Sequence, residues 1–235
     1  MRLQTRFIVV TALALIGMAV TASLGVWQLN RAAQKEAMAQ DLQARTAQAE
    51  LAGESLLGQL DAPALQHRRV SLRGRWVNEH SVWLDNRQMN GRPGLYLLTP
   101  LQLAGSAQAV LVQRGWVPRN FEDRTQVPAL PDEPGEVTVA GRIALSPSKL
   151  YELGQGQGGL IRQNIDLAAF SAETKLPLVG VTVLQTGAAQ GVLQRDWPVI
   201  NAGVDKHHGY AFQWFGLCAL IASLYVWFQI VRRPR

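Results

Sequence analysis

The chain has 235 residues, 23 Lys and Arg against 17 Asp and Glu for a net charge of +6, 48% hydrophobic residues and one cysteine. That length suffices for one ordinary domain with a real core, while the lone Cys218 excludes an intramolecular disulfide and a thiolate pair for metal, and no C-x-x-C-H is present for covalent c-type haem attachment. The positive excess does not form a nucleic-acid face. Arg2, Arg6, Arg232, Arg233 and Arg235 lie beside apolar runs at the two ends, and Gln28 to Gly209 holds eighteen Lys and Arg against all seventeen acids, a net of +1.

Residues 1–6 are basic. From Phe7 to Trp27, FIVVTALALIGMAVTASLGVW is uncharged for 21 residues, about 31 Å of helix at ~1.5 Å per residue, enough to cross a bilayer. A secretory signal peptide competes, with MRLQTR as its basic region and Val20-Thr21-Ala22 as a cleavage site. The run exceeds the usual apolar region of about 7–15 residues, so residues 7–27 are read as an uncleaved transmembrane helix. Residues 28–66 begin with QLNRAAQKEAMAQDLQARTAQAEL, free of Gly and Pro, and are expected to continue as a helical extension and linker that ends between Gly53 and Pro63.

Residues 67–209 change texture. RRVSLRGRWV, SVWLDNRQM, LYLLTPLQL, AVLVQRGWVP, EVTVAGRIAL and LVGVTVLQT are short runs rich in Val, Leu and Trp, punctuated by Asn90-Gly91, Pro93-Gly94 and Pro134-Gly135. This spacing predicts a mostly antiparallel β (α+β) domain, with one helical patch at DLAAFSAET before Lys175. The basic cluster HRRVSLRGR, His67 to Arg75, reads as charges on the solvated side of a strand. Residues 210–231, YAFQWFGLCALIASLYVWFQIV, are again uncharged, with Tyr210, Trp214 and Trp227 as interfacial aromatics, and form the second predicted transmembrane helix. Residues 232–235, RRPR, follow at once.

Arginines at both outer ends put both termini in the cytoplasm by the positive-inside rule, and the central domain across the membrane; Arg31 and Lys35 weaken that bias. Gly17, Thr21 and Gly25, and Gly216, Ala219 and Ser223, offer small-residue stripes for pairing the two spans or for docking on a larger membrane protein. The central domain carries no G-x-S-x-G, Walker loop, G-x-G-x-x-G or H-x-x-x-H, and GQGQGG at Gly154 to Gly159 lacks the Lys-Ser/Thr of a phosphate loop, so an enzyme is not expected. His67 and His80 stand alone and read as structural or solvated.

His207 and His208 stand just before the second span. Polar residues flank spans at that level, which is one reading. Helical geometry offers another: neighbours are about 100° apart, whereas positions three and seven further on share a face, aligning His207 with Tyr210 and Trp214. An imidazole above two rings at the lip of an apolar helix suits a flat, hydrophobic, iron-bearing ligand. A bare metal ion would want several ligands here, and no thiolate or carboxylate cluster is nearby.

GVWQLNR (Gly25 to Arg31), GRPGLYLLTPLQL (Gly91 to Leu103), VLVQRGWVP (Val110 to Pro118), VTVAGRI (Val137 to Ile143), KHHGYAFQWFGL (Lys206 to Leu217) and LYVWF (Leu224 to Phe228) together resemble the Surfeit locus protein 1 family, in order and over nearly the whole chain. The resemblance implies a membrane-bound assembly factor of haem-copper cytochrome c oxidase. It implies that haem a is bound transiently, with His207 as ligand to the haem iron, and is inserted into oxidase subunit I; Tyr210 and Trp214, aligned with His207 by helical spacing, are expected to pack the macrocycle or its tail. The family pattern, a histidine three residues before the tyrosine of Y-x-x-x-W, maps onto His207, while His208 stands where relatives carry an apolar residue. Trp27, Gln28 and the Arg114-Gly115-Trp116 strand match family positions that read as structural. The expected partners are subunit I, the haem a synthesis machinery and membrane lipid; the expected place is a bacterial inner membrane with a periplasmic central domain. Homo-oligomerisation stays open. The rival reading is a cofactor-free scaffold for oxidase assembly intermediates.

Overall fold

The computed structural model describes residues 2–58, 62–130, 133–147, 159–189, 191–197 and 203–232. It divides into two compact units, one of Met1–Asp41 with Val199–Arg235 and one of Leu42–Pro198.

The first unit is a helix pair. Helix α1 runs Arg2–Ala47, its last turns belonging to the second unit, and a second helix, α4, runs Val204–Val226 and continues as a π-helical turn over Trp227–Val231. Both are long and apolar enough to cross a membrane, and their most apolar stretches are hardly buried by the rest of the chain, unlike a core helix. On α1, Thr21, Gly25, Gln28 and Ala32 are buried, a four-three-four spacing; on α4, Val204, His207, Ala211, Trp214 and Cys218 are buried or half-buried at three-four-three-four. These seams face each other in antiparallel register. Thr11 Oγ1 lies 2.9 Å from the Tyr225 hydroxyl, and the Cys218 thiol donates to the Met18 carbonyl at 3.6 Å.

The small-residue expectation is half met. Gly17 and Gly25 do face α4: a Cβ at Gly25 would stand 2.7 Å from the Phe215 ring. Gly216 opens onto empty space and Ala219 and Ser223 are exposed, so that stripe turns away from α1. Replacing Gly25 by Leu is expected to drive Phe215 out of the seam, an overpacking cost of about 1–3 kcal/mol. A dibromobimane crosslink between Cys218 and a Met18→Cys substitution measures it: the yield should fall in the Gly25→Leu variant and hold in Gly216→Leu.

Among the described residues the second unit is built on eight strands: β1 (Leu51–Ala52), β2 (Arg69–Trp76), β3 (Val82–Met89), β4 (Arg92–Leu103), β5 (Ala109–Pro118), β6 (Val137–Ala144), β7 (Ile161–Arg162) and β8 (Leu178–Gln185). They order β1-β2-β6-β8-β5-β4-β3-β7, and a further β2–β4 pairing closes β2, β6, β8, β5 and β4 into a ring. Val70, Leu72, Val110, Val112, Val139, Val181 and Val183 belong to one buried cluster of this unit. Alternation explains the facing: β2 points Val70, Leu72 and Gly74 inward and leaves Arg69, Arg73 and Arg75 exposed, so the part of the basic cluster on β2 is a solvated strand face, while His67 and Arg68 precede the strand and are half-buried.

The six strand segments expected from sequence all form, and among the described residues five strand pairings are antiparallel. The pairs β1–β2, β3–β7 and β5–β8 are parallel, which the sequence reading did not foresee. Between β6 and β8 in sequence, α3 (Leu167–Thr174) begins at Asp166, whose carboxylate accepts from the Ala168 and Ala169 amides, and ends at Lys175 with φ 58°. Phe170 of α3 packs with Val82, Leu84, Leu98 and Leu111.

Asn90 and Gly91, both at positive φ, make the two-residue turn from β3 to β4. Pro93-Gly94 is no turn: both residues lie inside β4, where a Cβ on Gly94 would stand 2.3 Å from the Trp116 ring. The glycine is there for clearance. The helical extension also ends sooner than expected, at Ala47, because Leu51 and Ala52 pair with β2 while Arg69 donates to the Thr46 carbonyl at 2.9 Å and Arg45 to the Pro63 carbonyl at 2.9 Å. Residues 53–56 form a 3-10 turn that buries Leu56, and α2 is the single turn Ala62–Leu65. Most of GQGQGG lies outside the described residues.

Candidate functional site

The start of α4 and the stretch of α1 that packs on it bring together more chemistry than the apolar halves of either helix. Gly203, at φ 109°, precedes the helix, and Asp205 sits in its first turn, where a carboxylate favours the unpaired amides. His207 follows one turn on, half-buried and turned toward α1. Its Nδ1 lies 2.7 Å from Oε1 of Gln28, which is buried. Among the described residues its Nε2 has no hydrogen-bond partner.

His208 takes a different direction, as the ~100° step between helical neighbours requires. Its Nε2 lies 3.3 Å from the Glu36 carboxylate, and both side chains are about half exposed. The two imidazoles therefore have separate partners on α1 and do not converge. Trp214 shares the half-buried seam with His207, whereas Tyr210 is 51% exposed beside it. On α1, Arg31 and Lys35 stand three and seven positions beyond Gln28, on its side of the helix. Lys35 reaches the entry of α4: a Cβ on Gly203 would be 3.4 Å from its Nζ.

The donor set decides what this corner can hold. Among the described residues no three His, Cys, Asp or Glu side chains gather as a site for a metal ion. A single imidazole nitrogen is a poor trap for a bare ion, which needs several ligands at once. It matches an iron already held by four ring nitrogens, which asks the protein for an axial donor and for apolar surface beside it. His207, Trp214 and the exposed face of Tyr210 fit that demand.

Gln28 is the residue that sequence reading underrated. Its position was legible in principle: Thr21, Gly25, Gln28 and Ala32 repeat at the spacing of a packed seam, which a spacing-of-four reading through Gly17, Thr21 and Gly25 passes over.

In the second unit, Arg114, Gly115 and Trp116 sit on β5, buried on both faces. The Arg114 guanidinium lies 4.1 Å from the Trp76 ring centroid and 2.6 Å from the Glu133 carboxylate, which also accepts from the Trp76 indole at 2.8 Å. Burial pulls its pKa below the usual value, against the pull of Glu133 in the other direction, and the nearby Arg195 charge adds to the lowering. Gly115 lets the segment around Leu193 approach, since a Cβ there would lie 2.8 Å from that of Leu193. These contacts make the strand a structural centre.

The SURF1 family model matches residues 15–219. The chain is similar to a SURF1-like protein of Drosophila melanogaster, 27% identical over 92% of this chain and 75% of that one. It is also similar to a SURF1-like protein of Rickettsia felis, 24% identical over 90% of this chain and 93% of that one. Surfeit locus protein 1 of Rattus norvegicus is 24% identical over 89% and 72% of the two chains.

Proposed function

The chain belongs to the SURF1 family, and from that premise we propose that it is a membrane-anchored assembly factor of haem-copper cytochrome c oxidase that holds haem a and passes it to subunit I. In this reading α1 and α4 cross a bacterial inner membrane, both ends are cytoplasmic and the strand-rich unit is periplasmic. Two helices of sufficient length and apolarity, barely buried by the chain itself, with arginines at their outer ends, support the topology.

One observation carries the haem reading: at the start of α4, the His207 imidazole is held through Nδ1 by Gln28 and keeps Nε2 uncommitted among the described residues. Nε2 supplies the axial lone pair. Tyr210 and Trp214 pack the macrocycle or its hydrocarbon tail. Haem a is cargo, and the chain makes and breaks no covalent bond in it. Release needs only a recipient that binds more tightly, each ~1.4 kcal/mol of difference giving a tenfold bias. The partners are subunit I and the machinery that synthesises haem a.

The test uses full-length protein purified in detergent from cells that make haem a. The wild type is expected to show the absorption of bound haem, and His207→Ala to lose it by more than the ~10- to 100-fold that an outer-sphere partner costs. His208→Ala should keep it, because that ring faces Glu36. Equal haem content in wild type and His207→Ala, with oxidase assembly intact, would leave a cofactor-free scaffold as the function.

A further inference from the structure

A histidine offers iron a lone pair only from the ring nitrogen that lacks a proton, and which nitrogen that is depends on what the other one bonds. An isolated imidazole exchanges between the two neutral forms. Here Nδ1 faces Oε1 of Gln28 at 2.7 Å, an oxygen that can only accept, so the proton belongs on Nδ1 and the lone pair on Nε2. The acceptor sits on α1 and the ring on α4, and Gln28 is buried in the seam, which limits its side chain to few orientations. We propose that Gln28 is a positioning residue: it fixes His207 in the Nδ1–H tautomer across the helix pair and so presents Nε2 as the donor toward a haem iron. This rests on the haem reading for its purpose, but not for its geometry.

The arrangement ties the grip on the ligand to the pairing of the helices. If α1 and α4 part, the Nδ1 proton loses its acceptor, and the ring is free to turn and to exchange tautomers. The seam around the bond is built of small side chains: Gly25 lies one turn before Gln28, Ala32 is buried one turn after it, and Ala211 on α4 is buried one turn after His207. Gln28 is the polar group that meets the ring in this seam. Glu36 repeats the pattern for His208 about two turns further along α1, at a longer 3.3 Å and in an exposed setting. That pair lies outside the seam.

The experiment compares full-length wild type with Gln28→Leu, which removes the acceptor at similar size, and Gln28→Glu, which keeps it. Ring-nitrogen chemical shifts of ¹⁵N-histidine-labelled protein in detergent, without haem, report the tautomer of His207, assigned by its loss in His207→Ala. Wild type and Gln28→Glu are expected in the Nδ1–H form, and Gln28→Leu shifted toward the Nε2–H form. In a titration with haem a, Gln28→Leu should bind about 10- to 100-fold more weakly and Gln28→Glu near the wild-type level. The Cys218 crosslink to a Met18→Cys substitution shows that the helices stay paired in each variant. An Nε2–H ring in the wild type, or a Gln28→Leu variant with wild-type shifts or wild-type haem affinity, overturns the proposal. A wild type that holds the Nδ1–H tautomer yet leaves haem a unbound overturns the haem reading instead, with Gln28 still setting the ring.

Discussion

Replacing Trp116 by Ala is expected to cost about 3–5 kcal/mol of the stability of the strand-rich unit. The indole is 1% exposed, its N–H donates to the Arg87 carbonyl at 2.9 Å, and its ring lies against the bare Cα of Gly94. Its backbone exchanges two hydrogen bonds of 2.8 Å with Gln194, so the same residue joins β5 to the segment that follows β8. Truncation therefore opens a cavity and strands a buried carbonyl at one stroke. A domain holds only about 5–15 kcal/mol in all, so the variant keeps a fraction of it. Urea unfolding of full-length protein in detergent, followed by the sheet signal in circular dichroism, measures the shift. Phe121→Ala, whose ring is 71% exposed, serves as control and should move by less than about 0.5 kcal/mol. A Trp116→Ala midpoint equal to the control's would show that β5 is not the centre of this unit.

The second large effect is expected at Glu133. Its carboxylate accepts from both the Arg114 guanidinium, at 2.6 Å, and the Trp76 indole, at 2.8 Å. The Arg114 side chain is fully buried, and among the described residues its Nε and Nη1 meet no acceptor, so Glu133 carries the neutralisation of that charge. Glu133→Ala leaves a cation in the interior with its indole neighbour also unpaired. Breaking a buried pair from one side costs about 3–5 kcal/mol; Glu133 is itself 27% exposed and water reaches it, so about 2–4 kcal/mol is expected. The double variant Arg114→Leu/Glu133→Ala should recover more than half of that, because an apolar residue needs no counter-charge. If single and double variants unfold at the same urea concentration, the stabilisation lies in the packing of Arg114 on Trp76 and not in its charge.

Much of the strand-rich unit was legible in the sequence, for a local reason. β2 through β6 and β8 each show alternation or a run of Val and Leu bounded by turn residues, and those signals act within eight or ten positions. The helical patch DLAAFSAET was legible too, and the structure shows Asp166 capping its start. β1 and β7 are two residues long and have no period to read; they exist because β2 and β3 offer them edges. Pro93-Gly94 misleads because the same dipeptide that makes turns also makes room, and only the Trp116 ring on the neighbouring strand shows which is meant. In the helix pair, His207 was legible as a candidate by standing where polarity gives way to an apolar run. Gln28 was legible only as one position of a repeating seam, since its role lies in what it faces.

By itself, then, the sequence determined two long uncharged helices, the strand segments between them and a pair of histidines at the mouth of the second helix, because hydrophobic periodicity and charge placement are properties of neighbours along the chain. The tertiary structure alone decided that β5 and β8 run parallel, that β2 closes a ring onto β4, and that the nitrogen facing Gln28 belongs to a residue 179 positions away. Those outcomes depend on which distant surfaces bury each other best, and no window of the sequence contains both partners.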